Sequence, residues 1–218
     1  PSLELRRVDG IVRGMAAGAR LWGAPLVGGN VARARRSSLA LTALGAVRRG
    51  RALRRDAARP GDRLLVTGTL GGAALAVARA ARTGRRRGPA VEPRLAAGRA
   101  PAGLAGAGAR IDVSDGLLAD LGHVLRASRV GASLDAHCVP RPRGLARACA
   151  RLGLDPMRLA LAGGEDYELL FTVRAGAPSA ASLSARLGVR VTEIGRIEAG
   201  RGFRGAGRPA GGRGWAHF

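Results

Sequence analysis

The chain of 218 residues contains no Lys and no Gln, and its single Asn is Asn30. All 37 basic side chains are therefore Arg, set against 15 Asp and Glu, for a formal charge of +22. A charge of that size invites a nucleic-acid reading through counterion release. Two absences argue against it. Arg is spread along the whole chain without forming a patch, and six aromatic residues are too few to interleave stacking platforms with the cations. The densest cluster, Arg82 with Arg85, Arg86 and Arg87, lies in Gly/Pro-containing sequence and reads as a solvated loop. A profile rich in Ala, Gly, Arg and Pro is what a GC-rich genome writes into any protein. No dedicated nucleic-acid partner is expected.

Long apolar runs are also missing. Nothing approaches the roughly 20 residues needed to span a bilayer. Residues 1–20 carry charges at regular intervals where a secretory signal would have an apolar block. The expectation is a cytoplasmic protein with no membrane partner. The two cysteines have neither zinc-like nor redox-like spacing. Cys149 shares a helical apolar stripe with Leu145, Ala148 and Leu152, which points to core packing. His137-Cys138 lacks the further ligands that a metal site needs.

What is present is a mixed pattern of helix and strand. Val8, Ile11, Val12, Met15, Ala19 and Trp22 recur at helical spacing and stop near Gly23-Ala24-Pro25. Residues 38–47 alternate as a strand. Pro60-Gly61-Asp62 marks a turn, after which residues 63–67 form a strand, 68–72 a Gly-rich turn and 73–82 a helix. A short helix is predicted near 93–99, a strand ending at 111–113, and an amphipathic helix on Leu117, Leu118, Leu121, Val124 and Leu125. Strands at 132–135, 167–173 and 189–194, with helices near 143–152 and 179–187, complete an α/β or α+β pattern.

Six of the fifteen acids crowd two short motifs. In IDVSDGLLADLGH, residues 111–123, Asp112 and Ser114 fall on one side of a strand by its period of two. Asp112 and Asp115 flank the turn into a helix. Two readings stand. Ser114 or Asp115 caps the helix, a contribution of about 1 kcal/mol; or the carboxylates hold a divalent cation. Two carboxylates about 4 Å apart repel by roughly 4 kcal/mol at an effective dielectric of 20, and Mg²⁺ with its preference for hard oxygen ligands would relieve that. In LAGGEDYELLF, residues 161–171, paired glycines allow close backbone approach and three acids follow; a plain turn before a polar-edged strand also fits. The loop TGTLGG, residues 67–72, offers backbone N–H groups for phosphate or serves tight strand–helix packing. It lacks the Lys and following Ser/Thr of a P-loop.

The ordered set LVGGN, LALTALGAV, GRALRRDAARPGDRLLVTGTLG, IDVSDGLLADLGH, LAGGEDYELLFTV, IGRI and the terminal GWAHF resembles the thiamine-monophosphate kinases, from about Leu26 to Phe218. The resemblance implies the C-terminal α/β domain of the aminoimidazole-ribonucleotide-synthetase-like superfamily, at 57–218. It implies that residues 1–56 are a remnant of the N-terminal, ATP-binding and β-barrel-forming domain, and that the chain is an N-terminally truncated form whose own activity is in doubt. It further implies direct phosphoryl transfer from ATP to thiamine monophosphate, with Mg²⁺, in an enzyme that is a homodimer at full length.

Carried over residue by residue, Asp112 and Asp115 become metal ligands, joined by Asn30. Gly29, Asn30, Arg55 and Ser114 become ATP contacts. Arg55 and Asp112 act in catalysis, and Glu165 and Trp215 meet the substrate. An indole against a cationic thiazolium is sound physics; the alternative is that Trp215 simply anchors the C-terminus. Asn30 stands where the family has Asp, Gly72-Ala73 where it has Asp-Ser, and Ala216 where Asp is commoner. Two other readings remain: a sibling enzyme of the superfamily (purine synthesis, selenophosphate, hydrogenase maturation), and an inactive basic binding protein that keeps the fold.

Overall fold

A computed structural model describes residues 4–84, 91–99 and 106–205. The chain divides into two compact units, Pro1–Ala46 and Val47–Phe218. In the first unit, helix α1 (Leu5–Trp22) follows the predicted stripe and ends at Gly23, whose φ of 61° is the left-handed conformation that closes a helix C-terminus. None of the residues of α1 is buried. The strand expected at 38–47 is absent: this segment is exposed and has no assigned helix or strand. Alternation makes a strand only where a neighbouring edge accepts its hydrogen bonds, and no described strand pairs with it.

The second unit is built on a six-stranded sheet. Its elements in chain order are β1 (Arg63–Thr67), α2 (Gly72–Thr83), α3 (Leu95–Arg99), β2 (Ala107–Val113), α4 (Leu117–Ser128), β3 (Gly131–Leu134), α5 (Leu145–Ala150), α6 (Pro156–Ala162), β4 (Glu168–Val173), α7 (Ala180–Leu187), β5 (Val191–Glu198) and β6 (Gly202–Arg204). The strand order is β2-β4-β1-β5-β3-β6. Every pair is antiparallel except β3–β6. This is the mixed α/β domain that the sequence predicts.

All five residues of β1 are buried, because the strand is central and both sheet faces are covered. Leu64 and Val66 join one core with Ile111, Val113 and the α4 residues Leu117, Leu121, Val124 and Leu125. Leu65 turns to the other face and packs with Phe171, Val173, Leu183, Leu187 and Ala97. Ile111 and Val113 thus anchor β2 inward, while Asp112 between them stays exposed. That alternation is what delivers the acidic motif to the surface at the end of β2. Cys149 is fully buried on α5, as its stripe implied.

Candidate functional site

The turn from β2 into α4 depends on Gly116, at φ 112° and ψ 149°. A Cβ there would lie 3.0 Å from the Ala162 carbonyl, so the turn passes hard against the end of α6. The N-cap position of α4 is Gly116 itself, which has no side chain to offer. Asp120, one turn into the helix, braces the turn that precedes it. Its Oδ2 accepts the backbone N–H of Ser114 and that of Asp115, both at 3.0 Å. Asp120 is almost completely buried. Burial pushes its carboxyl above the ordinary Asp range, and the nearby charges of Asp115 and Asp112 add to the rise, against the two backbone hydrogen bonds.

The second acidic motif lies directly across this turn. Glu165 N–H donates to the Ser114 carbonyl at 2.8 Å, and Tyr167 N–H donates to the Val113 carbonyl at 2.9 Å. Gly164 permits the approach, since a Cβ on it would sit 2.4 Å from the Ser114 oxygen. Glu165 and Tyr167 both have positive φ, 66° and 50°, a conformation that an aromatic side chain rarely adopts. The two motifs are therefore joined backbone to backbone.

The three acids of the second motif separate in role. Glu165 is exposed. Asp166 turns inward, where its carboxylate accepts Gly71 N–H at 2.7 Å and Ala73 N–H at 3.1 Å. Burial raises its carboxyl above the usual range despite these bonds. Glu168 is buried and accepts Thr67 Oγ1–H at 2.6 Å and a two-pronged Arg94 guanidinium at 2.7 Å from both Nε and Nη2. Gly68 makes room for it: a Cβ there would fall 1.8 Å from Glu168 Oε1. Of the two readings of the Gly-rich loop, packing is thus the one observed. An internal carboxylate already holds the N–H groups of Gly71 and Ala73 at the start of α2.

Among the described residues, Asp115, Asp120 and His123 can place one ligand atom each within 4.8 Å of one another. His123 Nδ1 lies 3.0 Å from Arg126 Nη2. Guanidinium only donates, so Nδ1 accepts and Nε2 carries the ring proton. With both ring nitrogens so engaged, the donors left in this group are the Asp115 and Asp120 carboxylates, oxygen ligands of the kind a hard divalent cation takes. One Asp120 oxygen is already committed to the two backbone donors.

Asp112, Ser114 and Asp115 thus meet at one turn, and Glu165 is seated on it. Arg55 is placed elsewhere in the same unit. Its carbonyl accepts Ser128 Oγ–H at 2.9 Å, and Arg54 O accepts Arg110 N–H at 3.2 Å. Ser128 ends α4, whose twelve residues span about 18 Å from the Asp115 end. Gly29 and Asn30 are exposed, outside helix and strand, in the first unit. Trp215 lies outside the described residues. Sequence reasoning missed Asp120, His123, Asp166 and the Glu168–Arg94 pair. The i,i+3 spacing of Asp120 and His123 on a predicted helix was a usable signal; the others had none.

Residues 59–207 match the C-terminal domain of the AIR synthase related proteins, and residues 1–47 match their N-terminal domain. The thiamine-monophosphate kinase of Escherichia coli K12 is 39% identical over 189 residues, covering 80% of this chain and 56% of that protein. The crystal structure of the thiamine-monophosphate kinase from Stenotrophomonas maltophilia K279a aligns with a TM-score of 0.64 at 38% identity, over 74% of this chain and 55% of that one. The structure of AaThiL complexed with AMPPCP and TMP aligns at 0.61 and 31% identity, over 76% and 54%. The chain spans little more than half the length of these relatives. It belongs to the AIR synthase related protein family, and within that family it is similar to the thiamine-monophosphate kinases.

Proposed function

We propose that the protein phosphorylates thiamine monophosphate with ATP in a Mg²⁺-dependent, direct phosphoryl transfer that yields thiamine diphosphate and ADP. The observation that carries this reading is the junction of the two acidic motifs. Exposed Asp112, half-buried Asp115 and exposed Glu165 are gathered on one turn whose backbone is tied on both sides. Similarity to thiamine-monophosphate kinases, one of them complexed with AMPPCP and TMP, supports the same reading.

In this reading Asp112 and Asp115 hold Mg²⁺. When bound, the ion supplies charge neutralisation at phosphate oxygens. Ser114, held by Asp120 through its backbone, faces the nucleotide, and Arg55 is a further nucleotide contact. Glu165 and Trp215 orient thiamine monophosphate so that a phosphate oxygen attacks the γ-phosphorus of ATP as the bond to ADP breaks. Positioning and electrostatics supply the rate, without a covalent enzyme intermediate. A homodimer acting in the cytoplasm belongs to the same proposal. No described helix is long and apolar enough to cross a membrane.

The test is product analysis after incubation with ATP, Mg²⁺ and thiamine monophosphate. Thiamine diphosphate and ADP are expected in equal amounts, and both should disappear on chelation of Mg²⁺. ADP release that ignores thiamine monophosphate would overturn the assignment.

A further inference from the structure

Aromatic side chains are scarce here, six in the whole chain. Phe171 is buried in one core, Phe203 packs against the other, and Trp22 is half-buried on α1. Tyr167 is different: it is 42% exposed, and it sits at the junction of the two acidic motifs. Its φ of 50° is one that glycine adopts without strain and a bulky side chain does not. Glu165, two residues earlier, is in the same condition at 66°.

Such strain persists only where the surroundings over-determine it, and here they do. Asp166 is locked onto the start of α2, Glu168 onto Arg94 and Thr67, and the N–H groups of Glu165 and Tyr167 onto the carbonyls of Ser114 and Val113. The inward-facing acids fix the backbone, and the alternate residues are left at the surface. The chain has 35 glycines, two of them at 163 and 164 immediately before this turn. The two left-handed positions that follow nevertheless carry Glu and Tyr. A turn needed only for its path would be relaxed by glycine at both.

We infer that Tyr167 is a specificity-determining residue for the phosphate acceptor, its ring receiving the cationic heterocycle while the exposed Glu165 carboxylate supplies a countercharge. The inference rests on the kinase reading above and deepens it. Thiamine monophosphate carries a fixed positive charge on its thiazolium, which an aromatic face attracts; the adenine of ATP is neutral and gains nothing of the kind. Tyr167 therefore discriminates between the two substrates without taking part in the transfer.

Calorimetric titration with thiamine monophosphate and, separately, with ATP tests this on the wild type, Tyr167→Phe and Tyr167→Gly. Glycine removes the ring and relieves the backbone, so its melting midpoint should equal or exceed that of the wild type, which separates binding from folding. Tyr167→Gly should weaken thiamine monophosphate about tenfold or more and ATP less than about twofold, with Tyr167→Phe close to wild type. Unchanged thiamine monophosphate affinity in Tyr167→Gly, an equal loss for ATP, or a loss in Tyr167→Phe as large as in Tyr167→Gly would overturn the inference. A wild type that does not bind thiamine monophosphate at all overturns the kinase reading and this inference with it; the wild-type titration alone reads that outcome.

Discussion

The carboxylate of Asp166 accepts the backbone N–H of Gly71 at 2.7 Å, across 95 residues of sequence. Through this bond and its companion to Ala73, the second acidic motif closes the N-terminus of α2, the place where a Gly-rich loop would otherwise receive an external anion. One acid of the motif is thereby spent on architecture, and its neighbour Glu165 is positioned as a consequence.

Asp166 should leave a signature in the pH dependence of stability. Burial raises its folded pKa above the unfolded value of about 3.9. The native state then binds the proton more tightly than the unfolded chain, so this contribution is fully present below the unfolded pKa and is lost as pH rises through the folded one. Urea unfolding across that range should show wild-type stability falling relative to Asp166→Asn as pH increases. Asp166→Ala, which leaves two helix N–H groups without their acceptor, should cost about 1–2 kcal/mol at neutral pH. Parallel wild-type and Asp166→Asn profiles would remove the carboxyl from the explanation.

Glu168→Gln tests the buried pair with Arg94. The carboxylate hydrogen bonds hold the Arg94 pKa above its ordinary value. The substitution leaves the half-buried Arg94 guanidinium with only the exposed Glu92 as its ion-pair partner, with an expected loss of about 1–2 kcal/mol in denaturant unfolding. The double variant Glu168→Leu with Arg94→Met should recover much of that loss, because no unpaired charge remains. A double variant as unstable as the single one would count against the pairing.

Gly164→Ala places a methyl 2.4 Å from the Ser114 carbonyl oxygen. The turn must open to admit it, so thermal unfolding should show destabilisation of about 1–3 kcal/mol and turnover should fall with it. Gly176→Ala, where nothing lies within 4 Å, serves as the control and should be close to neutral.

Asp112 and Asp120 should separate chemistry from folding. Asp112 is exposed, so Asp112→Ala should leave the melting midpoint within about a degree while Mg²⁺-dependent turnover falls at least about 100-fold. Asp120→Ala deprives the N–H groups of Ser114 and Asp115 of their acceptor and should cost about 1–2 kcal/mol of stability. Near-normal turnover in Asp112→Ala would withdraw it from the metal site.

Much of this was legible from periodicity. β1 at 63–67 coincides with its predicted span, and α1, α2, α4 and α7 lie within a few residues of theirs. α6 was overlooked although its start is written in the sequence: Asp155 accepts Met157 N–H at 2.8 Å and Pro156 follows at the first helical position. The first half of β2, residues 107–110, was not read as strand because Ala and Gly carry no alternation. β6 is three residues long and takes its conformation from pairing with β3.

The sequence by itself determined the class of the fold, the two acidic motifs and the family, since these depend on local period and on strings of adjacent residues. Only the tertiary structure decided which acids stay at the surface or half-buried at the turn and which brace the fold. Asp112, Asp115 and Glu165 on one side, and Asp120, Asp166 and Glu168 on the other, have the same chemistry and nearly the same neighbours in sequence. Each acid of the second set faces a donor: Ser114 N–H for Asp120, Gly71 N–H for Asp166, Arg94 for Glu168. A buried carboxylate is tolerated only with such partners, and for Asp166 and Glu168 those partners come from more than 70 residues away.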